Sequence, residues 1–247
     1  MIDLKINKNS VLHEIGMFNS TDKAWHKRHT FLYEALFEKY GFSRNKKINL
    51  LELGFSHGFS HLMWYDYFFN SNIVGVDHWN IHEYYQDRYM PKKHVDLGYY
   101  IRKKQDGTTV NKLEYINNLI KNEERFSVYI ADQSCKDLAD RIVKEHGRFD
   151  IIIDDASHVG EKTRDSFNNL FDSLNPGGLY IIEDLEAWGR QKQRNVREDI
   201  LNYTKNSSKF EYLNNFKNVD FVELLFSRDH IKTTENFVLG IIRKNND

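Results

Sequence analysis

The 247-residue chain reads as an α/β protein built on one doubly wound, mostly parallel sheet. Three observations carry that reading: apolar runs alternate with helix-like segments, polar or acidic residues close each run, and a glycine turn follows the first. The runs are Lys47–Leu53, Asn72–Asp77, Ser127–Ala131, Phe149–Asp154 and Gly178–Glu183. They are continuously apolar rather than alternating, as strands covered on both faces are. Ser134–His146 and Lys162–Leu174 read as intervening helices; the second places Phe167, Leu170, Phe171 and Leu174 on one face. Pro176-Gly177-Gly178 then ends that helix and turns the chain into the next strand. Asp220–Phe226 and Asn236–Arg243 flank a polar turn and suit an antiparallel hairpin at the sheet edge, for seven strands in all.

Two stretches stand outside the alternation. Residues 1–46 form a helical preface, with Phe31, Leu32, Ala35, Leu36 and Tyr40 at amphipathic spacing. Residues 79–126 form an insertion rich in Tyr, Lys and His, expected to be a lid, a substrate-binding segment or a dimerisation surface. Tyr84, Tyr85, Tyr99 and Tyr100 in it would stack on a sugar or simply pack. With no repeat and no Gly/Ser-rich linker, a single domain over 1–247 is the simplest organisation.

Composition narrows the classes. Hydrophobic residues at 40% and charged residues at 29% describe a globular, not a disordered, chain. A net charge of −1 offers no basic field for nucleic acid. No apolar run reaches the ~20 residues of a membrane span. The first ten residues lack the apolar core of a signal peptide. Cys135 is the only cysteine, so no internal disulfide forms and a reducing cytoplasm fits.

The turn Glu52-Leu53-Gly54-Phe55-Ser56-His57-Gly58-Phe59-Ser60 follows the first strand and opens a helix, whose N-terminus offers free N–H groups. Its spacing is not the G-x-G-x-x-G of dinucleotide enzymes. The second strand ends in Asp77-His78, where a carboxylate suits the two hydroxyls of a ribose, or else caps a helix. The third ends in Asp132-Gln133-Ser134; Asp132 meets an adenine amino group, or Asp132 or Ser134 caps the next helix. Acids at successive strand ends fall where open α/β sheets bind ligands.

These motifs, over roughly residues 47–243, resemble the class I S-adenosylmethionine (SAM)-dependent methyltransferases. The resemblance implies a Rossmann-like seven-stranded fold and a SAM site holding Glu52, Gly54, Gly58 and Ser60 around the methionine part. Asp77 with His78 would serve the ribose, and Asp132, Gln133 and Ser134 the adenine.

A further pattern is Asp154-Asp155-Ala156-Ser157-His158 with Pro176-Gly177-Gly178-Leu179-Tyr180-Ile181-Ile182-Glu183-Asp184. Both acidic pairs close strands expected to be neighbours, about 4.8 Å apart. Four carboxylates there repel unless a cation or proton compensates, and oxygen ligands favour Mg²⁺ over Zn²⁺. His158, three residues after Asp155, can act as a general base. The pattern resembles metal-dependent sugar O-methyltransferases of macrolide tailoring and bacterial surface-polysaccharide pathways. That resemblance implies Asp155, Glu183 and Asp184 as metal ligands, His158 as base and Asp154 facing SAM. Ala156 replaces the family's glycine, and would strain the turn if positive φ were required, or else its methyl group only slightly narrows the site. Asn19-Ser20-Thr21-Asp22-Lys23 is similar to the family's G-T-D-K segment, which places Thr21 and Lys23 near the SAM carboxylate and the substrate; by itself Ser20 or Thr21 equally suits a helix cap.

The expectation is therefore a SAM-dependent O-methyltransferase, yielding S-adenosylhomocysteine (SAH), assisted by a divalent metal and acting on a sugar or small metabolite. It carries no nucleic-acid partner and no membrane span, and forms a homodimer or higher homo-oligomer. A metal-dependent hydrolase and a non-catalytic SAM-binding subunit are the rival readings; the first leaves the glycine turn and Asp77 without a purpose.

Overall fold

The computed structural model describes residues 2–78, 100–103, 106–185, 218–226 and 238–246. The preface folds as three helices, α1 (Val11–Asn19), α2 (Asp22–Trp25) and α3 (His29–Lys39). β1 (Asn49–Leu53), α4 (Phe59–Tyr67) and β2 (Asn72–Asp77) follow, then a small hairpin, β3 (Ile101–Lys103) and β4 (Thr109–Asn111). The remaining elements are α5 (Lys112–Asn122), β5 (Phe126–Ile130), α6 (Lys136–His146), β6 (Phe149–Asp154), α7 (Gly160–Leu170), β7 (Leu174–Ile182), β8 (Val219–Phe226) and β9 (Val238–Lys244).

Seven strands form one sheet in the order β5-β2-β1-β6-β7-β9-β8. The first five run parallel, and β9 pairs antiparallel with both β7 and β8. This is the doubly wound sheet with the C-terminal antiparallel edge that the apolar runs predict. The strand order reverses between β1 and β6, which opens a crevice at their carboxyl ends.

Successive strand side chains point to opposite faces, and two cores result. Leu50, Ile151, Ile153 and Ile181 pack with Leu36, Phe37, Leu62 and Trp64 from α3 and α4. Leu51, Val74, Ile152 and Tyr180 pack with Ile142, Phe167 and Leu170 from α6 and α7. The same parity sends Glu52 and Glu183 toward the α3/α4 side and Asp154 toward α7.

Three expectations need correcting. The helix expected over 162–174 runs Gly160–Leu170, followed by a 3-10 turn at Phe171–Ser173. β7 already begins at Leu174, so Pro176-Gly177-Gly178 lies within the strand. It is accommodated by a register shift: Phe149 pairs with Leu174, but Ile151 pairs with Leu179. The 79–126 stretch is not wholly outside the alternation either. Its second half contains α5, which joins β2 to β5 and buries Leu113, Ile116 and Leu119. Leu113, Ile116 and Leu119 stand three residues apart, a helical spacing that the reading of this stretch as an insertion passed over. Tyr84, Tyr85 and Tyr99 lie outside the described residues.

Candidate active site

The glycine turn packs directly on the end of β6. Gly54 has φ 98°, and a Cβ there would collide with the Asp155 carbonyl oxygen. Gly58, at φ 74°, caps α4, and a Cβ would come within 2.6 Å of the Phe55 ring. The turn thus needs both glycines for conformation and for close approach. Ser56 N–H donates to Asp77 Oδ2 at 2.7 Å, tying the turn to the end of β2.

Two adjoining cavities share Gly54, Ser56, Asp155 and Ala156. The smaller, about 310 Å³, is lined also by Asp77, His78, Asp132 and Gln133. Asp132 accepts from the Ser134 N–H and hydroxyl and pairs with Lys162, and these bonds, Lys162 first, hold its carboxyl down at about 2. The helix-capping alternative is not what forms: Cys135 is the N-cap of α6 without a side-chain bond, and Asp132 instead closes a turn onto Ser134 ahead of the helix. Gln133 is buried, donates to Asp154 at 3.1 Å and accepts from Ser157 N–H at 2.8 Å.

The larger cavity, about 530 Å³, is lined by Thr21, Lys23, Ser60, Asp155, His158 and Asp184, and also by Trp25, His26 and Lys27. His158 Nε2 lies 3.8 Å from Asp155 Oδ1 and 3.7 Å from Asp184 Oδ2. His158 (φ 53°) and Asp184 (φ 55°) hold left-handed backbone, a sparsely populated state for non-glycine residues. Ala156 does not, so the condition under which it would strain the turn is not met.

Behind this wall is a buried charge cluster. Lys23, 1% exposed, pairs with Asp155, with Glu183 at 2.6 Å and with Glu52 at 3.2 Å. Lys27 Nζ lies 2.9 Å from Asp184 Oδ2 and 3.5 Å from Glu183 Oε2. Burial alone would depress both ammonium groups, but Asp155 and its neighbouring carboxylates raise them well above the usual lysine range. Glu183 also faces the Tyr33 hydroxyl at 2.6 Å and His29 Nδ1 at 3.2 Å. Burial would raise Glu183, yet Lys23 and Lys27 pull it well below the carboxylate range. Asp155 goes the other way: burial and then Glu183 raise it against the two lysines.

Glu52 accepts from Ser60 at 2.8 Å and Trp64 Nε1 at 2.9 Å, with His61 Nδ1 at 3.0 Å. Burial pushes its carboxyl up to about 7, against the pull of Lys23, and pushes His61 down to about 3. Burial likewise raises Asp154 to about 7.

The structure gathers Thr21, Lys23, Gly54, Ser60, Asp77, His78, Asp132, Gln133, Asp155, His158 and Asp184 around the cavities. Glu52, Gly58, Ser134, Asp154 and Glu183 do not line them. Glu52, Asp154 and Glu183 are buried one layer behind. Sequence reasoning missed Lys27, His29, Tyr33 and Lys162. Only Lys27 carries a usable signal, as a second lysine four residues after Lys23.

A cation is compatible with the front of the cluster. Asp155, His158 and Asp184 offer ligand atoms within 4.8 Å of one another. Asp184 Oδ1 is buried without a hydrogen-bond partner among the described residues. Four acids, Glu52, Asp155, Glu183 and Asp184, face only two ammonium groups.

Residues 51–185 match the family described as a methyltransferase domain. The mycinamicin VI 2''-O-methyltransferase of Micromonospora griseorubida is 32% identical over 160 residues, which is 62% of this chain and 30% of that protein. A rhamnosyl-tetracenomycin-C 3'-O-methyltransferase of Streptomyces olivaceus is 31% identical over 183 residues, 70% of this chain and 36% of that protein. The chain spans about a third of the length of the curated relatives it matches. Among solved structures, the MycE methyltransferase in complex with Mg, SAH and mycinamycin VI superposes with a TM-score of 0.59 at 24% identity, over 96% of this chain and 54% of that one. At that identity the likeness speaks for the fold.

Proposed function

The chain belongs to the methyltransferase-domain family, and from that premise we propose that it is a SAM-dependent O-methyltransferase acting on a sugar hydroxyl. The observation that supports it best is the meeting of two cavities at Gly54 and Asp155, one lined by Asp77 and Asp132, the other by Asp155, His158 and Asp184. In this reading the nucleoside of SAM occupies the smaller cavity, with Asp77 and His78 at the ribose and Asp132 and Gln133 at the base. The methionine end passes the glycine turn toward Ser60, Thr21 and Lys23. Glu52, Gly58, Ser134 and Asp154 shape this path from behind.

The acceptor enters the larger cavity beside Trp25 and His26. His158 takes the proton from its hydroxyl while that oxygen bonds to the methyl carbon and the carbon–sulfur bond breaks, leaving SAH. Cationic sulfur and the developing alkoxide cancel in charge, so alignment and exclusion of water are the main demands on the site. Asp155 and Asp184 would hold a divalent metal such as Mg²⁺; Glu183, held by Lys23 and the Tyr33 hydroxyl at 2.6 Å each, would join them on giving up part of those contacts. Bound there, the metal supplies Lewis acidity that lowers the pKa of the acceptor hydroxyl.

The relatives act in macrolide and tetracenomycin pathways. A glycosylated natural product is therefore the first acceptor class to try, and a bacterial surface-polysaccharide precursor the second. A cytoplasmic homo-oligomer belongs to the same reading; exposed Met17, Phe18 and Trp25 offer apolar surface for it, and sedimentation measures it. Among the described residues no helix is long and apolar enough to cross a membrane.

Calorimetry with SAH, with and without Mg²⁺, tests the donor and the metal separately, and absence of SAH binding sinks the reading. In methyl-transfer assays with SAM and rhamnosides, His158→Ala should lower kcat about 10²- to 10⁴-fold while leaving SAH affinity intact. Turnover unchanged by EDTA would remove the metal and keep the rest.

A further inference from the structure

Lys112 is the first residue of α5 and is 1% exposed. Its Nζ donates to the Ser20 hydroxyl at 2.7 Å and stands 5.2 Å from the centre of the Phe59 ring. Its backbone N–H donates to the Tyr100 carbonyl at 2.7 Å. Ser20, Phe59 and Tyr100 all line the larger cavity. The ammonium therefore sits directly behind the cavity wall, with a cavity-lining hydroxyl as its hydrogen-bond partner.

Its electrostatic setting is unlike that of Lys23 and Lys27, the two buried lysines of the charge cluster. Lys23 and Lys27 each meet three or more carboxylates. No carboxylate among the described residues pairs with Lys112. It occupies the N-terminal turn of an eleven-residue helix, where the macrodipole disfavours a cation. Burial first, and then the Arg102 guanidinium, pushes the Lys112 ammonium down to about 8. Arg102 is satisfied separately, by a two-pronged pairing with Asp66 at 2.9 Å on each arm. A buried cation opposed by both neighbours, helix end and guanidinium, is costly unless an anion joins it.

We propose that Lys112 and Ser20 form a subsite for the carboxylate of a molecule bound in the larger cavity. A carboxylate fits this pair, since the Ser20 hydroxyl, while accepting from the ammonium, can donate to a carboxylate oxygen in the cavity, and the ammonium directly behind it supplies the opposite charge. Two sources carry this chemistry: the amino-acid end of the methyl donor, which rests on the function proposed above, and an acidic sugar acceptor, which does not require it.

Calorimetry on wild type, Lys112→Met and Ser20→Ala separates the sources. The probes are SAH against methylthioadenosine, which keeps the nucleoside and thioether but lacks the carboxylate, and glucuronate against glucose. If the donor's carboxylate is bound, Lys112→Met weakens SAH about 10- to 100-fold and leaves methylthioadenosine unchanged. If the acceptor's is bound, the loss appears on glucuronate and spares SAH. Methylthioadenosine binding also reports that the variant is folded; should Lys112→Met not fold, Ser20→Ala, which keeps the ammonium, is expected to show the same selective loss at smaller size. Wild type that binds neither acid, or variants that bind both acids as wild type does, overturns the subsite. Wild type that fails on SAH yet loses glucuronate with Lys112→Met supports the subsite while refuting the donor reading.

Discussion

The two sides of the crevice are stabilised in different ways. On the β2/β5 side the contacts are short in sequence: Asp132 holds Ser134 two residues on, Ser56 reaches Asp77 over 21 positions, and Lys162 reaches Asp132 over 30. On the β6/β7 side they are long: Lys23 to Asp155 spans 132 positions, Tyr33 to Glu183 spans 150, and Lys23 to Glu183 spans 160. The first side is partly exposed and screened by water, while the second is dry. The same kinds of ion pair therefore carry very different weight, because desolvation makes a broken buried pair far more costly than a broken surface one.

Removing one member of the dry cluster is the severest way to probe this difference. Glu183→Ala leaves Lys23, Lys27 and His29 without their shared carboxylate, and should cost about 3–5 kcal/mol in urea unfolding. A variant as stable as wild type would mean that the cluster is not dry in solution.

An intermediate effect is expected at Glu52. Its carboxyl is raised from 4.5 to about 7, so the folded protein holds a proton that the unfolded chain releases. The contribution of this group to stability is accordingly greatest below about 4.5 and declines as pH rises toward 7. Since Trp64 donates to Glu52, the difference in fluorescence between wild type and Trp64→Phe should titrate near pH 7. A flat difference between pH 5 and 9 would contradict the raised value.

The smallest effect belongs to the open side. Lys162→Met should let the Asp132 carboxyl climb from about 2 toward its ordinary 3.8, measured by NMR titration. Because Asp132 is depressed, its contribution is present above the ordinary value and fades as pH falls through about 2. With both partners 41% exposed, the stability change should stay below about 1 kcal/mol. A change as large as that of Glu183→Ala would erase the contrast between the two sides.

The same contrast explains what was legible beforehand. Strand runs, the glycine turn and the acids at strand ends are local patterns, and the sheet order follows from their alternation. Repulsion among Asp154, Asp155, Glu183 and Asp184 was also expected, with the need for a compensating cation, but the structure turns Asp154 to the opposite face against Gln133 and puts Glu52 in the cluster instead. What compensates the cluster was not legible, because Lys23 sits on the four-residue α2 and Lys27 just past its end, more than a hundred residues before Asp155 and Glu183. No periodicity in a short helix announces which acids it will face. α5 was legible but overlooked: its buried Leu113, Ile116 and Leu119 stand at helical spacing inside a stretch taken whole as an insertion. Pro176-Gly177-Gly178 reads as a stop, yet β7 absorbs it through a register shift, a choice made by pairing with β6 rather than by local propensity.

The segment carrying Lys23 and Lys27 also sets an order of events. During synthesis those ammonium groups are made about 160 residues before Glu183, which receives them. Until then they are solvated side chains on a segment too short to hold its own helical shape. The charge cluster, and with it the wall behind His158, can close only after β7 has taken its place beside β6. Loop closure over that separation is slow. The reaction chamber should therefore be among the last parts of the molecule to acquire protection in pulsed hydrogen exchange, well after the β1–β2 region has become protected.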